Sequence, residues 1–270
     1  MDWNLSSPKL TSALQQIATD PKASLIDLLF CYKMMIEGDV PVTAEQLHIG
    51  QSIVNSTSIR GLDYLPASTR TDIPDTRLTS FDWSTFYREY YGGAIIENIR
   101  AELSKAYDFV LVVSEKGFTE AAGISTIQLA DVIALMINLN TQALEKSIQL
   151  ARRVNTPGVK KDGRQVKILP IPSRLPIHEP ALREQLYDML ESGFSKYIPQ
   201  ELDVSEYYDS AGIPETSQFY FYENKIFALV DSEENRFSMT RSYKTLSRYL
   251  VDIAKRMNDL PKGHESGRDT

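Results

Sequence analysis

Apolar residues recur along this chain with two periods, and the alternation between them sets out the elements. Leu25, Leu28, Leu29 and Tyr32 fall at helical spacing and predict a helix over 24–37. A shorter helix is expected at 8–18, and the mixed, turn-rich stretch 39–61 reads as an irregular surface segment. "GLDYLPAS" (61–68) reads as a short strand ending in a proline turn. Between 81 and 106, Ile95, Ile96, Ile99 and Leu103 form one apolar stripe, the mark of an amphipathic helix. The Gly92-Gly93 pair is expected to separate it from a short helix at 82–90.

Two runs carry no polar residue at all: "FVLVV" (109–113) and "VIALMI" (132–137). Both are short and rich in Val and Ile, so they predict central strands buried on both faces, as in a parallel sheet. A helix is expected between them at 119–129, and another follows at 141–154. "QVKILPIP" (165–172) reads as a third strand. Helices over about 179–194 and 240–257 complete the set. Strands alternating with helices predict an α/β, doubly wound, mostly parallel sheet. One domain is expected over 1–258, followed by a disordered tail at 259–270.

Composition narrows the function classes. The balance of 29 basic and 36 acidic residues leaves a net charge of −7, which argues against nucleic acid or an anionic membrane as the main partner. The lone Cys31 excludes a disulfide framework within the chain and suits a reduced cytoplasmic location. No apolar run approaches the ~18 residues a membrane span requires. His48, His178 and His264 are scattered without ligand spacing, so no metal site is expected. There is no G-x-S-x-G elbow to support a hydrolase triad. Arg241, Lys244, Arg248, Lys255 and Arg256 read as the solvated face of the last helix.

In a doubly wound fold, ligands meet the carboxyl ends of the strands. Four such tips are expected, at 2–8, 114–117, 138–142 and 170–174. All are polar, whereas the strands before the last three are apolar. Polar turns are ordinary at strand ends, so each tip alone says little.

The order of several segments carries more. "YDFVLVVSEKGFTEAAGISTIQLADVIALMINLNTQALE" (107–145) resembles the Walker B region of a MinD/ParA-like group of P-loop ATPases with a KGGVGR-type phosphate loop. "DWNLSSPKL" resembles that group's DWDLEAPGL segment, "LDYLPAS" its LDLLPAG, and "FDWSTFYREYYGGAIIENIR" its FDW…GG…LR stretch. "ILPIPSR" and "RSYKTLSRYLVDIA" resemble its base-side strand end and closing helix. The resemblance covers nearly all of 2–257 and implies a P-loop NTPase-like fold. It implies that Asp2 is the acidic switch residue after the second strand. It also implies that Asn138, Gln142, Pro172 and Arg174 lie on the nucleotide's base side. For Asn138 a second reading stays open, as cap of the helix starting near Asn140.

The same resemblance exposes departures. No G-x-x-x-x-G-K-[ST] or K-G-G occurs, so the loop that cradles phosphates is missing from the chain, together with the family's first strand. Val113 stands where the family carries its Walker B aspartate, whose carboxylate holds the magnesium shell. Ser114 keeps the family's serine. Glu115 replaces an arginine; it shares side-chain parity with position 113 but lies past the strand end. Asn4 stands where the family has a second aspartate. The expectation is therefore a degenerate relative, incompetent in catalysis, that acts as a regulator or scaffold through a protein partner or a homodimer. ATP and magnesium would bind only if the phosphate loop were supplied. An alternative is a nucleotide-binding ATPase whose true start lies roughly 35 residues upstream, the length of a βα unit. A further alternative is a non-functional gene fragment.

Overall fold

A computed structural model describes residues 1–5, 20–38, 49–70, 75–114, 119–138, 140–156, 166–176, 178–198, 202–215 and 238–259, with Leu10, Leu14 and Ala18 as single positions between the first two stretches. The protein is α/β, with many helices and small, mostly parallel sheets. It divides into two compact units, one formed by 1–131 with 156–166, the other by 132–155 with 167–270. The expected helix at 8–18 and the tail at 259–270 lie almost wholly outside the described residues.

In the first unit, β1 (Asp2–Trp3) pairs in parallel with β4 (Val113–Ser114). Helix α1 (Leu25–Glu37) keeps the predicted stripe of Leu25, Leu28, Leu29 and Tyr32 buried. Its first amides are satisfied by tertiary contact, since Leu25 and Ile26 donate to the carbonyls of Pro66 and Ala67 at 2.8 and 3.2 Å. The stretch expected to be irregular holds a one-turn helix, α2 (Ile49–Ser52), and a strand, β2 (Val54–Asn55). β2 pairs antiparallel with β3 (Asp63–Tyr64). A hairpin this short carries little periodic signal, and only two residues of "GLDYLPAS" are strand.

Three helices follow: α3 (Thr76–Thr79), α4 (Trp83–Glu89) and α5 (Gly92–Ala106). Asp75 and Asp82 cap the first two by accepting from the amides of Arg77 and Thr85. In α5 the residues Ile95, Ile96, Ile99 and Leu103 are buried, as their spacing predicts. The junction before α5 differs from expectation. Tyr91, at φ 52°, makes the left-handed turn, and Gly92 and Gly93 open the helix instead of separating it. Gly92 is required for approach: a Cβ there would stand 2.4 Å from the Phe86 ring. The two Asp-Trp segments meet in the core, where the rings of Trp3 and Trp83 lie 5.7 Å apart and Phe81 stands 4.6 Å from Trp83.

The run 109–113 corrects the sequence reading. It was expected to be buried on both faces, yet Phe109 is 49%, Leu111 69% and Val113 40% exposed. Among the described residues only the Val113–Ser114 end of this run pairs with another strand, and that partner is two residues long. An apolar run is buried only where neighbours exist to cover it. The predicted helix at 119–129 is a single α-turn, α6 (Glu120–Gly123), passing into a π-helix at Ile124–Leu129.

The second unit is a three-stranded parallel sheet in the order β5 (Val132–Asn138), β6 (Lys167–Leu175), β7 (Ile213–Pro214). Helices α7 (Thr141–Val154), α8 (Pro180–Phe194), α9 (Val204–Ala211) and α10 (Met239–Asp259) complete it, within two residues of the predicted ends where predicted. Among the described residues β5 pairs with β6 alone, and it is not buried on both faces as expected. Ile133 and Ile137 are buried while Met136 is 47% exposed, so its apolar run alternates in burial. β6 is central and carries Pro170 and Pro172, residues that cannot donate to a ladder. β7 reaches only Ser173 and Leu175 of β6, so no described strand lies along the flank of the prolines. There the carbonyl of Pro170 accepts from the buried Tyr207 hydroxyl at 3.0 Å. Tyr207 also meets Tyr208 and Tyr249, with ring centroids 5.4 and 5.0 Å away. The basic residues of α10 are exposed, as expected of a solvated face. No helix among the described residues is long and apolar enough to cross a membrane.

Candidate functional site

The site residues expected from sequence gather at two strand ends, one in each unit. In the first unit, Asp2 stands opposite Val113 and Trp3 opposite Ser114. The Asp2 amide donates to the carbonyl of Leu65 at 2.9 Å, and the Val113 amide to that of Met1 at 3.0 Å. Asp2 is fully buried, and its Oδ1 accepts from the amide of Asn4 at 3.2 Å. Trp3 is held beside it by an indole N–H donated to the Ala121 carbonyl at 2.9 Å.

Ser114 is tied to the π-helix. Its Oγ lies 2.7 Å from that of Ser125, which itself donates to the Ala122 carbonyl at 2.9 Å. With that proton committed, Ser114 is the donor to Ser125. The same helix is pinned further along, where Gln128 donates to the Gly93 carbonyl at 2.8 Å and accepts from the Tyr87 hydroxyl. π-Helical turns widen a helix and recur at functional positions. Here the turn orients the serine beside position 113. Val113 itself presents only methyl groups at this strand end, and no oxygen that could hold a metal. Glu115 lies outside the described residues. Among the described residues no cluster of His, Cys, Asp or Glu has the makings of a metal site.

In the second unit, the carboxyl ends of β5 and β6 bring three of the four predicted residues to neighbouring positions. Ile137 stands opposite Pro172, and Asn138 opposite Ser173. Arg174 follows at φ 58°, in a register shift between Ser173 and Leu175 where β6 has one residue more than β7. A bulge at a sheet end re-aims the side chain it carries, and left-handed backbone at a non-glycine residue costs energy. Arg174 is exposed, Pro172 buried. Gln142 is exposed in the first turn of α7. The cap of that helix is Asn140, whose side chain accepts from the Ala143 amide at 2.8 Å. Asn138 is therefore not the cap; it offers its carbonyl to the Asn140 amide at 2.8 Å and leaves its side chain exposed at the tip. An amide and a guanidinium at a strand end can hydrogen-bond a polar ligand, and neither is a nucleophile or a base at neutral pH.

Two features escaped the sequence reading. The first is an ionic network in the first unit. Arg77 donates through Nε and one terminal nitrogen to the two oxygens of buried Asp75, at 3.0 and 2.7 Å, and through the other to Asp27 at 2.8 Å. Ser68 donates to the same Asp75 at 2.7 Å. The Arg77 hydrogen bonds hold the Asp75 carboxyl far below the usual carboxylate range, and Ser68 adds to this against the cost of burial. The second is a cleft in the second unit beyond Leu175, lined from β6, β7, α8, α9 and α10. Its residues are dispersed over 70 positions of sequence, so no local motif announces it.

Against known proteins, the chain matches no family model and no curated protein.

Proposed function

We propose that this chain is a degenerate relative of the MinD/ParA-like P-loop ATPases that acts through protein contacts, as a regulator or scaffold, and does not turn over ATP. The observation that carries the reading is Val113 in its setting. It pairs with Asp2 at a strand end that the resemblance aligns with the magnesium site of those ATPases, and it closes an exposed apolar run, 109–113. Such a run has none of the charges, prolines or bulges that guard exposed strand edges. Apolar exposure of this kind marks an interaction surface.

The first test is phosphate release with magnesium and ATP. The expected result is no turnover above buffer, in the wild type and in Val113→Asp alike. Magnesium-dependent turnover abolished by Asp2→Ala would overturn the reading. The contact role is tested by light scattering after size-exclusion chromatography. The wild type is expected to associate with itself, and Leu111→Lys to be monomeric with an unchanged melting temperature.

A second reading is favoured by the strand end that holds Asn138, Pro172 and Arg174, namely retained nucleotide binding with the phosphate loop supplied from outside this chain. It expects a fluorescent ATP analogue to bind only once that segment is joined to the protein, and more weakly in Arg174→Ala. Equal affinity in wild type and variant would remove it.

A further inference from the structure

The cleft beyond Leu175 has a volume of about 300 Å³, at the small end of the range for ligand sites. It opens past the last residues of β6 and β7, Leu175 and Pro214, where open parallel sheets meet ligands. Gly212 lets the chain pass close beneath it, since a Cβ there would stand 2.3 Å from Leu175 and 2.5 Å from the Tyr208 carbonyl. Ser242 fastens α10 to this point by donating to the Gly212 carbonyl at 2.8 Å.

The wall carries both signs of charge. Arg183 of α8 and Arg241 of α10 supply two guanidinium groups, and Glu206 and Asp209 of α9 supply two carboxylates. One arginine and one carboxylate among them form a long ion pair, and the other two charges are not paired with each other. Arg183 Nε is 3.9 Å from Asp209, too long for a hydrogen bond. The side chains of Arg241, Glu206 and Thr245 meet no partner among the described residues. Leu175, Pro214 and the Tyr187 ring give the cleft an apolar side. Two positive and two negative groups sum to no net charge, so a polyanion would meet as much repulsion as attraction. A molecule that carries both charges close together meets attraction from each.

We propose that this cleft binds a small zwitterion of the α-amino-acid type. Its carboxylate lies on Arg241 and Arg183, its ammonium on Glu206 and Asp209, and its short apolar body on Leu175 and Pro214. The cleft shares the end of β6 with Pro172 and Arg174, but neither of them lines it, and the proposal does not rest on the proposed loss of ATP turnover.

The probes are the proteinogenic L-amino acids, each tested by titration calorimetry against the whole chain at millimolar concentration. Binding by at least one with an apolar side chain is expected. Its amide and its N-acetyl derivative, which each lack one charge, should bind about tenfold more weakly or worse. Arg241→Ala and Glu206→Gln should each weaken the binding amino acid to a similar degree. Both positions are exposed, so circular dichroism melting should match the wild type and confirm that the variants fold. The proposal is overturned if none of the amino acids binds, if the blocked derivatives bind as well as the parent, or if both variants keep wild-type affinity.

Discussion

Arg77 shows how much one side chain can hold together. It serves Asp75, which is almost fully buried, and Asp27, on a helix fifty residues earlier in sequence. Removing it would leave a buried carboxylate with only Ser68 and the Arg77 backbone amide to answer it. Arg77→Ala is therefore expected to cost about 3 kcal/mol in chemical denaturation, the scale of a buried pair with one partner removed. The pH dependence follows from the same contact. The folded carboxyl titrates well below its unfolded value of roughly 4, so its stabilisation is present above that value and is lost as pH falls below it. Wild-type stability should decline on acidification through this window, and Arg77→Ala should decline less. Measuring unfolding free energy at several pH values checks both. Tyr107 offers a second marker. Burial, aided by a hydrogen bond to Asp63 at 2.9 Å, pushes its phenol up to about 12, so absorbance titration should show it ionising late.

At the scale of elements, the junction of α4 with α5 is the most constrained. Gly92→Ala would drive a methyl group into the Phe86 ring, and a loss of roughly 1–3 kcal/mol is expected, as for overpacking elsewhere. Gly93→Ala meets only ordinary contact with Tyr87 and should be near neutral; paired melts of the two variants separate them. Much of this layer was legible in sequence. The helices with a one-sided apolar stripe, at 25–37, 92–106 and 141–154, are where periodicity puts them, because burying that stripe is what stabilises such helices. The misreadings have physical causes. A π-helix shares its composition with an α-helix, so 124–129 carries no separate signal. The run 109–113 is as apolar as a central strand, but burial depends on neighbours that composition does not encode. The left-handed turn at Arg174 was equally hidden, since arginine has no preference for positive φ.

On the scale of the whole molecule, the candidate site was legible in part. Asp2, Val113 and Ser114 do meet at one strand end, and Asn138, Pro172 and Arg174 at another. The tips follow from the habit of parallel sheets to place polar residues at their carboxyl ends, while the residues within them were implied by the resemblance to the P-loop ATPases. The cleft with its four charges was not legible, because its wall is assembled from five elements. Charge at 109–113 is the change expected to alter behaviour most. Replacing Phe109 and Leu111 together with lysine should raise solubility and suppress aggregation on concentration, measured by light scattering, with no loss of thermal stability.

The two prolines of β6 also give the second unit's sheet a direction. A strand needs free amides along its flank to take on a neighbour, and Pro170 and Pro172 supply none on theirs, where Tyr207 already occupies a carbonyl. Growth on that side is closed. β5 is the one described strand of this sheet without a proline, so all seven of its residues keep a backbone amide. Its backbone is therefore the one, among the described strands of this sheet, fit for pairing along its whole length.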